Sequence, residues 1–497
     1  MYFIGYDIGS SFIKATLLDG NTGKAVANAV YPESEQPMSA KQAGWAEQDP
    51  EIWWEGIQQT TLNLLTESTV AKDAIGGIGI SYQMHGLVIV DHEQQVLRPA
   101  IIWCDSRAVD IGRNAFEGIG AESCLEQLLN SPGNFTASKL RWVKENEPDV
   151  YSKIHKMMLP GDYIAMRLSG ELGTTTTGLS EGILWNFANR DVAKILLDYY
   201  EVEEQLLPEI IPSFGKQASL SKDAAAVIGL KPGTPITYRA GDQPNNAFSL
   251  NVLNPGEIAA TAGTSGVVYA VTDAVKFDPL SRINTFAHVN YTPEQPRLGV
   301  LLCLNGTGIS NSWLRKQLPG NLSYAKMNAL AETAPIGCDG LSFLPWGNGA
   351  ERILQNASPG ASFNGLSFNV HKDKHLARAV QEGVAYSFFY GMQIMQEIGL
   401  QPDVIRAGRA NMFLSPVFRQ TLADVTGVAI ELYDTDGAQG AARAAAYGAG
   451  FYKSFKETFI GLQKLETVAP TLSNKQAQTE SYSKWQALVN GEQYTHD

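Results

Sequence analysis

The chain has 497 residues, of which 44% are hydrophobic and 18% charged, and its formal net charge at pH 7 is -13. That length is too great for one hydrophobic core and predicts two domains with a cleft between them. The acidic balance argues against nucleic acid or an anionic membrane surface as a partner.

Targeting signals and metal-binding motifs are not found in the sequence. The first residues have the pattern of a strand rather than of a signal peptide, and no apolar run is long enough to span a membrane. The four cysteines show no C-x-x-C spacing, and no C-x-x-C pair accompanies the seven histidines, so the sequence contains no complete zinc motif. We therefore expect a soluble, cytoplasmic protein with reduced thiols.

The N-terminal half is predicted to begin with a β-meander. Residues 2–31 read as three strands joined by two tight turns. Asp49 as N-cap and Pro50 as first helical residue predict the start of a helix. Strands at 75–81 and 87–90 flank a short loop, which lies at a strand end, where open α/β sheets tend to bind ligands.

The second half begins with the same pattern. A strand, a Thr-Ser-Gly turn and a returning strand place Ser265 about half the chain after Ser11. A long core helix is predicted over 375–398, followed by alternating strands and helices. These patterns predict an α/β protein with two related lobes, divided as 1–245 and 246–497.

The first turn is a candidate phosphate site. In DIGSSFIK the backbone N–H groups of Gly9, Ser10 and Ser11 could hold phosphate oxygens, Lys14 would add positive charge, and Asp7 could hold hydrated Mg²⁺. The alternative is an ordinary hairpin with a solvated lysine.

The second turn offers the same kind of site in the other lobe. Gly263 allows close backbone approach, and Thr264 and Ser265 carry hydroxyl groups. Either turn alone is only a turn. Two of them, one in each lobe, describe a clamp on the phosphates of a nucleotide in the cleft.

An acidic residue precedes the second turn and could accept the proton of an attacking hydroxyl. Asp242 lies in the segment AGDQPNN, and phosphoryl transfer uses such a base. The alternative is an Asx-turn or a helix N-cap, both of which are common for Asp beside Gly and Pro.

Two short segments could contact a small polar substrate. Gln83, Met84 and His85 combine an apolar wall with an imidazole that can bond a hydroxyl group, although a lone His at a strand end can also be structural. Asp105 could point toward the same cleft, or it could form a local ion pair with Arg107.

The adenine of a nucleotide could lie against small residues near the C-terminus. Residues 407–411, with Gly408, Arg409 and Asn411, and residues 437–450 are rich in Ala and Gly. Close packing of a helix on a sheet would explain the same composition.

Taken together, these motifs resemble those of the FGGY carbohydrate kinases. The agreement runs in order along nearly the whole chain. The segments that carry it are DIGSSFIK from Asp7, WAEQDPEIWW from Trp45, QMHG from Gln83, WCDSRA from Trp103, KLRWVKENEP from Lys139, AGDQ from Ala240, AGTSG from Ala262, LPWGNGAER from Leu344, NGLSF from Asn364, HLARAVQEG from His375 and GAQGAARAAAYGAG from Gly437.

The resemblance implies two actin-like (ribonuclease-H-like) ATPase domains that close over ATP, Mg²⁺ and a sugar. It implies that Asp242 is the general base, that Mg²⁺ associates with Asp7 and Asp242 through water, and that Met84 and His85 contact the sugar. The Met-His-Gly loop is that of members acting on D-xylulose, so the implied product is D-xylulose 5-phosphate. Relatives are often dimers, so a homodimer is also implied.

Three departures from the family pattern stand out. Arg239-Ala240-Gly241-Asp242-Gln243 replaces Gly-Gly-Gly-Asp-Asn, so Gln243 takes the place of a sugar-binding Asn. Arg409 stands where relatives have Gly, and it could stack on a base or reach a phosphate. Residues 174–182 lack the acidic residues that some relatives have there.

Alternative functions differ in the sequence features that they require. Another sugar, such as ribulose, L-xylulose or gluconate, remains open because pocket geometry sets stereochemistry. A non-catalytic sugar sensor could use the same fold, but the presence of Asp242 argues against it. The lack of a strand followed by G-x-G-x-x-G argues against an NAD-dependent oxidoreductase.

Overall fold

In the computed structural model, which describes residues 1–320 and 322–491, two large β-sheets organise the chain. The strands are β1 (Tyr2–Ile8), β2 (Ile13–Asp19), β3 (Lys24–Tyr31), β4 (Glu47–Gln48), β5 (Ile75–Tyr82), β6 (Val88–Val90), β7 (Ala100–Ile101), β8 (Lys156–Met158), β9 (Gly173–Thr175), β10 (Trp185–Asn186), β11 (Asp191–Val192), β12 (Glu209–Ile211), β13 (Phe214–Ser219), β14 (Pro235–Gly241), β15 (Glu257–Ala262), β16 (Gly266–Thr272), β17 (Asn284–Ala287), β18 (Leu298–Leu304), β19 (Ser342–Leu344), β20 (Ser362–Asn364), β21 (Val404–Gly408), β22 (Ile430–Tyr433) and β23 (Lys464–Val468).

Helices cover the sheets and fill the connections. They are α1 (Pro50–Ser68), α2 (Val109–Ile119), α3 (Ala121–Leu128), α4 (Thr136–Asn146), α5 (Pro148–Tyr151), α6 (Pro160–Ser169), α7 (Thr176–Glu181), α8 (Lys194–Tyr200), α9 (Lys222–Ile228), α10 (Asp242–Ser249), α11 (Gly308–Gln317), α12 (Tyr324–Glu332), α13 (Asp373–Glu397), α14 (Pro416–Thr426), α15 (Gly437–Gly448), α16 (Phe455–Thr458) and α17 (Lys475–Val489). Short 3₁₀ turns lie at Lys72–Ala74, Glu204–Leu206, Cys338–Gly340, Arg352–Leu354, Asn411–Leu414 and Leu472–Asn474. Among the described residues no helix is both long and apolar enough to cross a bilayer.

The two large sheets share one strand arrangement. The N-terminal sheet has the order β13-β14-β5-β1-β2-β3, and the C-terminal sheet has the order β17-β18-β16-β15-β21-β22-β23. In each, the first strand pairs antiparallel with the second and parallel with a later strand: β1 with β2 and β5, and β15 with β16 and β21. The predicted α/β class with two lobes of related design is therefore confirmed.

Local sequence signals place several helix ends where they were predicted. The Asp49 side chain accepts the N–H of Glu51 at the start of α1, and Pro50 is its first residue. Ser415 caps α14 in the same way, and Gly427 ends it with a φ of 69°. The long helix α13 begins at Asp373, two residues before its predicted start.

Helix α15 belongs to the second half of the chain but packs on the N-terminal sheet. Cβ atoms added to Gly5 and Gly79 would lie 2.1 Å from the carbonyl oxygens of Ala438 and Ala441. Close helix-to-sheet contact therefore accounts for the Ala- and Gly-rich segment. Helix α10 contacts α15 between the lobes and runs across residues 245 and 246, where the domain boundary was predicted. That boundary stays a prediction.

One hydrophobic cluster joins the two lobes beneath the cleft. It contains Met84, Phe135 and Leu184 from the first half and Tyr269 and Phe286 from the second. The inter-lobe contact is also polar: Asn130 donates its side-chain N–H to the Thr285 carbonyl at 2.7 Å. The edge strand β17 is thus fixed against the N-terminal lobe, and it forms one wall of the cleft.

Candidate active site

Three neighbouring parallel strands bring the central polar residues together. β14, β5 and β1 lie side by side, and their carboxyl ends lead to Asp242, to the loop 83–85 and to Asp7. The carboxyl ends of parallel strands meet at one edge of a sheet, which is where α/β proteins bind ligands. The structure therefore gathers these predicted residues in one place.

The two aspartates act on each other electrostatically. Burial, and then the negative charge of Asp7, raise the pKa of Asp242 to about 7, while hydrogen bonding from Gln243 opposes the shift. Burial also raises the pKa of Asp7, whose Oδ1 accepts a hydrogen bond from Ser81 at 2.8 Å. A cation near the pair would stabilise both charged forms.

The carboxylates fit a hydrated Mg²⁺ better than a directly ligated ion. Among the described residues no group of three or more His, Cys, Asp or Glu side chains could hold a metal. Mg²⁺ keeps several waters and takes only one or two protein carboxylates when substrate phosphates complete its shell. Asp7 and Asp242 would hold it in that way, as the resemblance implied.

The first phosphate turn is supported from below by glutamine side chains. The Gly9 N–H donates to the Phe12 carbonyl at 3.0 Å, which closes the turn. The side-chain N–H of Gln48 donates to the Ser10 carbonyl at 2.6 Å. Gln83 is buried and approaches Gln48 at 3.4 Å. Gln83 therefore supports the turn through its side-chain N–H, while its buried carboxamide oxygen has no hydrogen-bond partner among the described residues. A sugar contact by Gln83 stays a prediction.

The rim of the first turn carries an aromatic residue that the sequence analysis missed. Ser10 and Ser11 are half-buried, and Lys14 is exposed. The indole N–H of Trp103 donates to Ser10 Oγ at 3.3 Å, and about half of its side chain is exposed. An exposed Trp beside a polar turn is a suitable surface for a ligand.

The second phosphate turn rests against the start of helix α11. The carbonyl oxygens of Gly263 and Thr264 accept the N–H groups of Gly308 and Ile309 at 2.9 and 3.1 Å. A Cβ on Gly308 would lie 2.2 Å from the Gly263 oxygen, so only glycine allows this approach. The side chains of Thr264 and Ser265 remain exposed.

A cavity of about 340 Å³ continues from the second turn. The carboxamide oxygen of Asn311 is buried there without a hydrogen-bond partner among the described residues. Its lining consists of Ala262, Gly263, Thr264, Gly308, Ile309, Asn311, Ser312, Tyr324, Asn328, Asn411, Met412, Leu414 and Ser415. An apolar cavity with a few unpaired polar groups is typical of a site for a nucleoside base.

Part of the predicted adenine site lies outside this cavity. Asn411 lines it, whereas Gly408 and Arg409 do not. Arg409 is exposed, and its N–H donates to the Tyr433 carbonyl. A nucleotide contact by Arg409 stays a prediction. The lining residues on α11 and α12 were not predicted from the sequence. The Gly-Thr-Gly segment before α11 is the feature that could have indicated a turn at this place.

His85 is held as a neutral hydrogen-bond acceptor. Its Nδ1 lies 2.9 Å from the Glu181 carbonyl oxygen, which can only accept, so Nδ1 carries the proton. Burial, and then the charge of Lys139, lower the pKa of His85 to about 3. The buried Lys139 donates to the carbonyl of His85 at 2.8 Å. The free Nε2 can therefore accept a hydrogen bond from a hydroxyl group.

The walls around His85 come from both lobes. The rings of Phe135 and Phe286 lie 4.7 and 5.4 Å from the imidazole. Arg352 lies over Phe135 at 5.9 Å, and Cys303 is exposed within electrostatic range of both Arg352 and Asp242. None of these residues was predicted, because no local pattern reveals which segments face each other across a cleft.

The structure does not bring Asp105 to the cleft. Its side chain is fully buried, and both carboxylate oxygens accept hydrogen bonds from Arg107. Oδ2 also accepts the N–H of Ala46 at 2.6 Å. The predicted sugar contact is therefore wrong for Asp105, and the alternative of a local ion pair is confirmed.

Arg239, a departure from the family pattern, and the acidic residue Glu181 both lie beneath Asp242. Arg239 forms a buried ion pair with Asp162 at 3.2 Å. Glu181, from the segment 174–182, is 1% exposed, and its Oε1 has no hydrogen-bond partner among the described residues. Burial, and then the charge of Asp242, raise the pKa of Glu181 well above its usual range.

Comparisons with known proteins identify the family and agree with the fold. Residues 2–249 match the N-terminal domain of the FGGY family of carbohydrate kinases, and residues 258–449 match its C-terminal domain. A xylulose kinase from Klebsiella pneumoniae is 31% identical, with 89% of this chain and 88% of the relative covered.

Two further similarities cover nearly the whole chain. An L-xylulose/3-keto-L-gulonate kinase from Escherichia coli (strain K12) is 29% identical, over 100% of this chain and 98% of the relative. The crystal structure of a "xyloylose kinase" from Brucella ovis superposes with a TM-score of 0.89 at 27% identity and covers 99% of each chain.

Proposed function

Because the chain belongs to the FGGY family of carbohydrate kinases and is thus a sugar phosphotransferase that uses ATP, we propose that it phosphorylates D-xylulose to D-xylulose 5-phosphate. The observation that supports this proposal is the neutral His85, beside Met84, at the same sheet edge as Asp242. The relatives named xylulose kinase point to the same sugar.

In the proposed reaction Asp242 accepts the proton of the attacking hydroxyl group. The base is needed mainly for position, because phosphoryl transfer passes through a loose transition state. A carboxyl group with a pKa of about 7 is nevertheless well matched to neutral pH. Mg²⁺, held through water by Asp7 and Asp242, would neutralise charge on the transferred phosphoryl group.

The nucleotide is proposed to lie across both turns. The N–H groups of Gly9 to Ser11 and the polar groups of Thr264 and Ser265 would hold the phosphates, and the cavity at Asn311 and Asn411 would take the base. Closure of the lobes over the sugar would exclude water, which otherwise competes for the phosphoryl group.

The sugar is proposed to lie with its reacting hydroxyl at Asp242 and its other end at His85. Nε2 of His85 would accept a hydroxyl hydrogen, while Met84, which is buried against Gly241, would pack on a carbon face. L-Xylulose is the second candidate, because a relative that covers 100% of this chain at 29% identity is named for it.

An ADP-release assay with D-xylulose, L-xylulose, D-ribulose, L-ribulose, gluconate and glycerol tests the proposal. We expect the highest kcat/KM for D-xylulose. Asp242→Ala should lower kcat by about 10²-fold or more while leaving ATP binding largely intact. A preference for another sugar would contradict the substrate assignment, and near-normal kcat in Asp242→Ala would contradict the base.

A further inference from the structure

Arg352 is a cationic side chain in the cleft for which the protein itself provides little pairing. Its Nε donates to the Ser281 carbonyl at 2.9 Å, and no described residue accepts from its two terminal nitrogens. Within residues 1–320 and 322–491 it forms no ion pair. A partly buried guanidinium with unused donors is costly unless a ligand or water accepts from them.

The nearby carboxylates already have other partners. Glu351 accepts the N–H groups of Asn305 and Gly306 at 3.1 and 3.0 Å. Asp278 is paired with Arg282 at 2.9 Å. Arg352 is therefore not part of a closed salt-bridge network, and its terminal nitrogens remain available to a molecule in the cleft.

The location of Arg352 links it to the sugar side of the site. Its Cζ lies 5.9 Å from the ring centroid of Phe135, and that ring lies 4.7 Å from His85. The pKa of His85 is lowered mainly by burial and by the charge of Lys139, and the charge of Arg352 lowers it further. Arg352 comes from the second half of the chain and His85 from the first, so the two groups face one space from opposite lobes.

The two groups have complementary hydrogen-bonding roles. His85 Nε2 accepts only, and a guanidinium donates only. An open-chain ketose carries an accepting carbonyl oxygen beside a donating hydroxyl group. The corresponding sugar alcohol has a hydroxyl group in place of the carbonyl. A guanidinium can donate to either oxygen. The ketose oxygen lies in the plane of a trigonal carbon, however, whereas the alcohol oxygen is on a tetrahedral carbon, so a donor held in place, as Arg352 is by the Ser281 carbonyl, distinguishes the two by the position of the oxygen.

We propose that Arg352 is a specificity-determining residue whose guanidinium donates hydrogen bonds to the carbonyl oxygen of a bound ketose. The proposal rests on the proposed function, because it assumes that a ketose occupies the site. If Arg352 binds the carbonyl oxygen of the sugar, the complete sugar site depends on both lobes, because Arg352 lies on the lobe opposite His85.

The test compares D-xylulose with xylitol and D-arabinitol, the two alcohols formed by reducing its carbonyl group. In Arg352→Met, kcat/KM for D-xylulose should fall about 10- to 100-fold, as expected for a lost hydrogen bond to a charged group. Values for the alcohols should change about threefold or less. Arg352→Lys should recover part of the loss, and the exposed Arg113→Met on α2 serves as the control.

Each outcome bears on one of the two proposals. An equal loss for ketose and alcohols in Arg352→Met would refute the carbonyl contact, because a general folding defect does not distinguish the two. If the wild type prefers another ketose, the D-xylulose assignment fails and the comparison is repeated with that ketose and its alcohols. If no substrate is turned over, calorimetry with the same compounds measures the ratio of the ketose affinity to the alcohol affinity, in the wild type and in Arg352→Met.

Discussion

Replacing Asp242 with Asn should stabilise the ligand-free protein while lowering kcat by about 10²-fold or more. The pKa of Asp242 rises from the reference 3.8 to about 7 in the fold, a difference of about 3 units. Each unit corresponds to about 1.4 kcal/mol, which gives an upper limit of about 4 kcal/mol. Because Asp242 is only half-buried, solvent screening lowers the expected gain to about 2 kcal/mol.

The stability gained in Asp242→Asn must increase as the pH rises. The folded state binds the Asp242 proton more tightly than the unfolded state, so wild-type stability falls between pH 4 and 7 and then stays low. An Asn side chain does not titrate, so it adds no such pH dependence to the stability of the variant. The Tm of Asp242→Asn should exceed that of the wild type by about 2 °C at pH 8, and the difference should narrow toward pH 5.

Differential scanning fluorimetry without nucleotide or sugar measures this difference. Asp198→Asn, which changes an exposed acid on α8, is the matched control and should leave Tm within about 1 °C. A lower Tm for Asp242→Asn at pH 8, or a difference independent of pH, would refute the electrostatic reasoning.

Three other perturbations test separate parts of the site. The kcat/KM of the wild type should fall about tenfold per pH unit below pH 7, as Asp242 becomes protonated, and a flat profile down to pH 5 would contradict this. Gly308→Ala should raise the KM for ATP about tenfold or more by displacing the Gly263 carbonyl, without changing sugar binding in calorimetry. Lys139→Met should raise the sugar KM about tenfold by releasing the His85 carbonyl, and an unchanged KM would show that the loop holds its shape without it.

Local patterns predicted those parts of the site that depend on short segments. The turn at Gly9 and the turn at Gly263 each lie between two paired strands, as their Gly and Ser residues indicated. Asp242 follows a buried strand and begins a helix. These features depend on residues adjacent in sequence, so sequence alone could identify them.

Features created by contact between distant segments could not be predicted in this way. Phe286 reaches His85, and Arg352 reaches Phe135, across the contact that fixes strand β17 against the other lobe. Arg239 was identified only as a departure from the family pattern, and its partner Asp162 lies 77 positions earlier in the chain. The expectation for Asp105 was wrong for the opposite reason. Its ion-pair partner Arg107 is only two residues away, so the sequence alone already showed the pair as an alternative.

The position of α15 has a consequence for how the protein can be divided. This helix comes late in the chain, yet it covers β1 and β5 of the first sheet, with glycines at the closest contacts. A fragment ending at residue 245 would leave that face of the sheet exposed to water and would aggregate. The missing helix would have to be supplied by a second fragment in trans, so assembly of the N-terminal lobe must await synthesis of nearly the whole polypeptide.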